Sequence, residues 1–409
     1  MSKILTTHVG SLIRPDALTP YLEKITDREQ YDRAGFDAEL TTSVADVVRR
    51  QADIGLDLID DGEFSKVSWI TYFYDRVSGI EERAIDLAGM NQLPADLDRE
   101  AFAEYYEGHD TVQAIEVGKR SDLVEHGEHA GGTASTGKGI QWVCTGPITY
   151  DGASVQRDID NLQAALATVD VTDGFLPVVA PASAYWLENE FYESDEAFVW
   201  ALADALSVEY RQIVDAGLML QVDDAVIWHE LGTLRLKGRS TEDFMRWAKV
   251  RIEATNHALK GIPPERVRYH VCCGSWHGAH TTDPELSEVI DLVLEVNAGA
   301  YLFEQGNPAH EHEWTMWRDI DLPDDKILVP GVVTHHTHVV EHPELIAQRL
   351  VRLAEIVGPE RVQAGTDCGF AQSALTRRVP EWTQWAKLEA LVEGARIASE
   401  RMSGLRAVA

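Results

Sequence analysis

His270-Val271-Cys272 closes an apolar run that begins at Val267. Side chains alternate along a strand, so the imidazole and the thiol fall on the same side. Near the C-terminus, Thr366-Asp367-Cys368-Gly369 sets a second thiol in a similar strand-end position. Together these residues make a nitrogen–sulfur–sulfur donor set. Such a set suits Zn2+, and three protein ligands with room for one more meet the needs of a catalytic zinc site. Glu304 follows the run Tyr301-Leu302-Phe303 and offers an oxygen that completes a tetrahedron until substrate displaces it. A plainer account also fits: two core cysteines, a strand histidine and a carboxylate capping a loop. Free cysteine is among the most buried residue types and is often inert.

His335-His336-Thr337-His338 follows another strand-like run. An imidazole titrates near neutrality, so one of the three suits acid/base work beside a metal, although any of them could also be a ligand. His277, His280, His310 and His312 read as surface or supporting residues. Two thiolates leave zinc electron-rich and poor at making hydroxide. They suit it instead to lowering the pKa of an incoming thiol and holding it as a nucleophile. The donor set therefore points to S-alkylation of a small-molecule thiol by an alkyl donor. The rivals are a zinc hydrolase with Asp224 as base and a non-catalytic zinc or thiol carrier. Crowded ionisable groups at strand ends speak against the carrier.

The elements that must position these groups alternate between short apolar runs and long amphipathic stretches, the pattern of a parallel α/β sheet. The strand-like runs are 5–9, 56–59, 141–144, 176–180, 218–222, 267–271, 300–303, 326–329 and 362–364, with helices predicted over 198–216, 287–296 and 343–357. That is one strand more than a single (β/α)8 TIM barrel needs, and 176–180 is taken as the extra one. A doubly wound sheet is the alternative. Polar residues follow nearly every run: His8 and Ser11, Asp61 and Glu63, Thr145-Gly146-Pro147, Asp223-Asp224, His270 and Cys272, Glu304, Thr334 to His338, and Asp367-Cys368. In a barrel these converge on one rim, where active sites sit. The charged stretch 81–139 reads as an insertion after the second strand. Within it Glu125 to His129 is a surface loop first and a second metal site only as an alternative.

The net charge is −32 over 409 residues, which excludes nucleic acid and anionic membrane as partners, since both need basic patches. No run approaches the length of a membrane span, and no cleavage signal opens the chain. Four cysteines, two of them adjacent, make no disulfide framework and point to the reducing cytoplasm. A homo-oligomer is compatible with all of this.

With these motifs in order, the chain resembles the catalytic barrel of the cobalamin-independent methionine synthase family over nearly its whole length. The resemblance puts the family's zinc ligands on His270, Cys272, Glu304 and Cys368. It puts homocysteine-binding residues on Ser11, within Thr6-Thr7-His8-Val9-Gly10-Ser11, and on Glu63 and Asp223, within Asp61-Gly62-Glu63 and Gln221-Val222-Asp223. The proton-relay histidine falls on His336, and Asp367 is expected to orient a ligand. The chain departs from the family's longer members by having one barrel. It also has Ala153 where a pterin-stacking Trp follows Thr145-Gly146-Pro147-Ile148-Thr149, and His229 in place of a pterin-binding Glu. The resemblance thus implies methyl transfer to homocysteine and leaves the methyl donor open. Its single-barrel branch also includes epoxyalkane:coenzyme M transferases, which open an epoxide with a zinc-bound thiol. Arg14 and Lys66 are the cations that could anchor that thiol's sulfonate.

Overall fold

Residues 173–179 read Asp-Gly-Phe-Leu-Pro-Val-Val, apolar without alternation, and a strand of that kind must be covered on both faces. The computed structural model describes residues 3–86, 115–116, 138–184, 187–274, 280–335 and 337–406. Among them the strands are β1 (Leu58–Ile59), β2 (Val77–Asp86), β3 (Ile115–Glu116), β4 (Lys138–Tyr150), β5 (Asp173–Val179), β6 (Glu188–Asn189), β7 (Met219–Asp224), β8 (Val267–Val271), β9 (Ala300–Glu304), β10 (Ile327–Val333), β11 (Gly365–Thr366) and β12 (Thr376–Arg377). Seven of these form one parallel sheet in the order β1-β5-β7-β8-β9-β10-β11.

The N-terminal segment closes that sheet. Thr6 bridges Ala364 in parallel, Thr7 N donates to Ala364 O at 2.9 Å, and Leu58 N donates to Thr6 O at 3.1 Å. Eight staves therefore ring a TIM barrel. Helices cover its outside, among them Arg33–Ile54, Asp195–Asp215, Thr241–Ala258, Pro343–Val357 and Glu381–Arg406. Their starts are set locally: Ser194 caps Ala197 N, Ser240 and Asp243 form a capping box, and Pro343 occupies the first turn. The helix expected over 287–296 is shorter, a 3-10 turn Leu286–Glu288 followed by Ile290–Leu294, because Val289 leaves helical geometry between them.

Two expectations about strands exchange places. The run 176–180 is a barrel stave, lying in β5 between β1 and β7. The run 141–144 is the one outside. It lies in β4, paired antiparallel with β2 from Val77↔Tyr150 to Asp86↔Lys138. Thr145-Gly146-Pro147 consequently sits inside a ribbon strand and not at a stave end. This ribbon leaves the barrel between β1 and β5. Most of the 81–139 stretch, including Glu125 to His129, lies outside the described residues.

Alternation sorts the stave residues between two cores. Leu220 and Val222, Val267, Tyr269 and Val271, and Tyr301 and Phe303 face outward into the large core under the helices. Val9, Ala300, Leu302 and Val329 form a small apolar cluster inside the ring. Beyond Met219, the inward positions on β7 and β8 are polar: Gln221 and Asp223, Arg268 and His270. The Arg268 guanidinium donates to Thr7 Oγ1 and to His8 O, each at 2.9 Å, and lies 3.9 Å from the Phe175 ring.

Candidate metal centre at the barrel rim

Ligand atoms of His270, Cys272 and Cys368 all lie within 4.8 Å of one another, and all three residues are buried. His270 and Cys272 arrive together because they are two apart on the inward face of β8; Cys368 comes from the turn after β11. Glu304, at the end of β9, closes the group. Its Oε1 accepts from Cys272 Sγ at 3.2 Å and from Cys273 N at 3.3 Å, and its Oε2 accepts from Asn307 Nδ2 at 3.3 Å. Asp223 Oδ1 holds His270 Nδ1 at 3.0 Å and also accepts from Gln221 Nε2 at 2.9 Å. The other ring nitrogen of His270, Nε2, is buried and is left toward Cys368.

The electrostatics of this group call for a cation. Burial would lower the His270 pKa, but hydrogen bonds with Asp223 and Cys368 outweigh it and raise the value to about 10. The Cys272 thiol donates toward Cys368 and so pushes the Cys368 thiol well below its usual range, against burial, with His270 and His335 adding to the effect. Cys272, as the donor, is pushed well above its range. Burial, together with the charge of Cys368, raises Glu304. Two thiols and a carboxylate thus compete for one buried charge, with the His270 imidazole beside them. A dication at their centre would let all of them ionise at once. The residues present fit zinc, which takes this S/S/N/O mixture.

The model of the family described as the cobalamin-independent synthase catalytic domain matches residues 112–396 of this chain. The chain belongs to that family. Membership makes it an enzyme of the methyltransferase class. Among curated relatives, a methionine synthase of Sulfolobus acidocaldarius is 22% identical over 399 residues, covering 97% of this chain and 93% of the relative. One from Sulfurisphaera tokodaii is 24% identical over 404 residues, with the same shares covered, 97% and 93%. Among solved structures, a B12-independent methionine synthase from Shewanella sp. W3-18-1 in complex with selenomethionine superposes with a TM-score of 0.70. Its identity is 16%, over 98% of this chain and 100% of that one.

Around the centre of this family member, the other expected residues take definite places. Asp367 Oδ1 accepts from Gln305 N at 3.0 Å and Gly306 N at 2.8 Å, so it braces the loop that follows Glu304. Ser11 is buried against the Asp367-Cys368-Gly369 turn, where its O accepts from Phe370 N at 2.7 Å. Glu63 holds a φ of 56°, uncommon for a residue with a Cβ, and its Oε2 meets Lys66 Nζ at 3.0 Å. His336 lies outside the described residues. The loop carrying it is anchored by Glu341, whose Oε1 takes Thr334 N at 2.9 Å and whose Oε2 meets Lys387 Nζ at 2.9 Å.

Some groups considered from sequence have other work. Arg14 is buried and donates to the carbonyls of Leu12, Glu63, Lys66 and Ala371, tying three rim loops together. Asp224 faces out of the barrel, taking Tyr269 OH at 2.7 Å and the amides of Val226 and Ile227 at 3.1 Å. His280 and His310, expected at the surface or in support, are buried. Arg268 belongs to no motif, yet the alternation that points His270 inward also points Arg268 inward.

Proposed function

We propose that this chain is a zinc-dependent thiol S-alkyltransferase whose reaction is methyl transfer to homocysteine, forming methionine. The convergence of His270, Cys272 and Cys368 on one point of the rim, with Glu304 against Cys272, carries the reading. Zinc held there by these four residues would lower the pKa of an acceptor thiol, the chemistry a bis-thiolate site favours over water activation. The chain's own residues do the rest. Asp223 aims His270 through Nδ1, and Asp367 fixes the Glu304 loop through two amides. Ser11 would receive the acceptor's carboxylate, and Glu63 with Asp223 its ammonium. His336, on the loop braced by Glu341 and Lys387, would take up the thiol proton.

The relatives' methionine synthase activity supports this acceptor. Epoxide opening by coenzyme M is the second reading, and it requires a cation for the sulfonate. Arg14 is committed to four backbone carbonyls. Lys66 is shared between Glu63 Oε2 and Pro177 O, the latter at 2.7 Å. Both placements favour the amino-acid thiol. A hydrolase would need Asp224 as base, and that carboxylate points away from the centre.

Zinc-edge X-ray absorption of the zinc-loaded protein tests the proposal. One additional sulfur neighbour with homocysteine, and none with coenzyme M, is the expected result. The same gain with coenzyme M alone would transfer the assignment to epoxide opening. No gain with either thiol would remove thiol activation.

A further inference from the structure

One residue past Cys272, Cys273 turns to the opposite side of the strand end and enters a separate cluster. Ligand atoms of Cys273, Asp283 and His310 lie within 4.8 Å of one another. Asp283 Oδ2 meets His280 Nδ1 at 2.7 Å and His310 Nε2 at 3.1 Å. His310 Nδ1 pairs with Glu313 Oε1 at 2.7 Å, and Glu313 Oε2 accepts from Leu286 N at 2.5 Å. The Trp228 ring stands 4.7 Å from the His310 ring.

This arrangement repeats the plan of the first centre. At His270, a carboxylate (Asp223) holds Nδ1 and leaves Nε2 toward a thiol. At His310, a carboxylate (Glu313) holds Nδ1 and leaves Nε2 toward a carboxylate and a thiol. A carboxylate on the far nitrogen is the usual way a histidine ligand is aimed and made more basic. Two more observations concern the same cluster. Asp283 Oδ1 is buried without a hydrogen-bond partner among the described residues, on a side chain only 4% exposed. His280 sits at a φ of 53°, a backbone state that costs energy in a residue with a Cβ and persists where surroundings impose it.

We propose that Cys273, Asp283 and His310 form a second metal site of the zinc class. Sulfur, oxygen and nitrogen donors match zinc's preferences, and His280 supports the site through its hydrogen bond with Asp283. The site would clamp the loop after β8 to the loop after β9. Those loops carry Cys272 and Glu304, so the second ion would hold the first centre in register. Nothing in this inference depends on which thiol or alkyl donor the enzyme uses.

Metal counting decides it. The full-length protein is loaded with Zn2+ or Co2+, freed of loosely held ion and assayed for metal per chain. Two equivalents are expected. The Cys272→Ser/Cys368→Ser double variant should keep one. His310→Gln and Cys273→Ala, each in the otherwise native chain, should keep one as well. In Co2+-loaded His310→Gln, thiolate-to-metal absorption should be that of two sulfurs. Folding of each variant is checked by circular dichroism, and the two single variants remove the site by independent routes. One equivalent in the native protein that disappears in the double variant would overturn the proposal. So would two equivalents surviving in both Cys273→Ala and His310→Gln.

Discussion

His270 is aimed before any metal arrives. Its Nδ1 is fixed by Asp223 at 3.0 Å, and Asp223 is fixed in turn by Gln221 at 2.9 Å. All three side chains point into the barrel because they occupy alternate positions on neighbouring staves. Loss of a partner of this kind typically weakens a metal site by about 10- to 100-fold. Asp223→Ala should therefore weaken zinc binding by that order, measured by competition with a chromophoric chelator, while Asp223→Asn, which keeps an acceptor oxygen, should weaken it less. Native affinity in Asp223→Ala would show that His270 needs no such guide. The ligands themselves should behave differently. Cys272→Ser or Cys368→Ser should each lose one equivalent of zinc together with methyl transfer, and full zinc content in both variants would break the assignment. At this scale the sequence pointed to the candidate ligands that the structure groups together, and not to the residues that support them. A His-x-Cys pair announces itself by type and spacing. Gln221 and Arg268 are ordinary polar residues whose importance depends on facing inward, and only the closed ring shows that they do.

At the scale of elements, the rim depends on staves approaching closely at glycines. A Cβ on Gly331 of β10 would come within 2.5 Å of Asp367 Cα and 2.6 Å of its N, backbone atoms that cannot rotate away. A Cβ on Gly369 would fall first on Ser11 Oγ, a side-chain atom that can be deleted. The two alanine variants should therefore part company. Gly331→Ala should displace the Asp367-Cys368 turn and cost at least about 1–3 kcal/mol, the range for overpacking a tight interior. Asp367→Ala should not rescue it. Gly369→Ala should be destabilising alone and partly restored by adding Ser11→Gly. Urea unfolding of the four proteins tests this, and equal rescue in both pairs would contradict the geometry. The β10–β11 approach could not be read from sequence, which shows the glycines but not the backbone that a Cβ on them would meet. The exchange of 141–144 and 176–180 has the same origin. Both runs have strand composition, but β5 is apolar without alternation, as a doubly covered parallel stave must be, whereas β4 mixes buried and half-exposed residues as a ribbon strand does. Weighing continuity above position would have separated them.

Across the whole molecule the surplus of acid sets the background for any pH experiment. With 68 acidic and 36 basic side chains, self-repulsion changes with every carboxylate that titrates, so the raw pH dependence of stability mixes many groups. A buried histidine can still be isolated by difference. His8 lies inside the ring on the closing N-terminal segment, with Nε2 2.7 Å from Gln51 Oε1. Burial, aided by the nearby Arg268 charge, lowers its pKa to about 4. In the unfolded chain the same imidazole takes a proton near 6.5. Between those values the unfolded state binds more protons than the folded one, so His8 makes stability fall as pH drops from 6.5 toward 4, and contributes no slope above that window. The upper bound is about 3 kcal/mol, at roughly 1.4 kcal/mol per pKa unit. His8→Gln keeps a hydrogen-bonding side chain and removes the titration, while the other groups, including Asp61 and Glu230, which burial raises to about 7, remain common to both proteins. The loss of unfolding free energy between pH 6.5 and 4.5 should therefore be smaller in His8→Gln than in the native chain, by on the order of 1–3 kcal/mol. Such a difference would show that closure of the barrel by its first stave requires a neutral imidazole at position 8. Parallel pH profiles would mean that the charged imidazole is accommodated where it stands, with Asp60, whose Oδ1 lies 3.5 Å from Nε2, as the nearest carboxylate to pair with it.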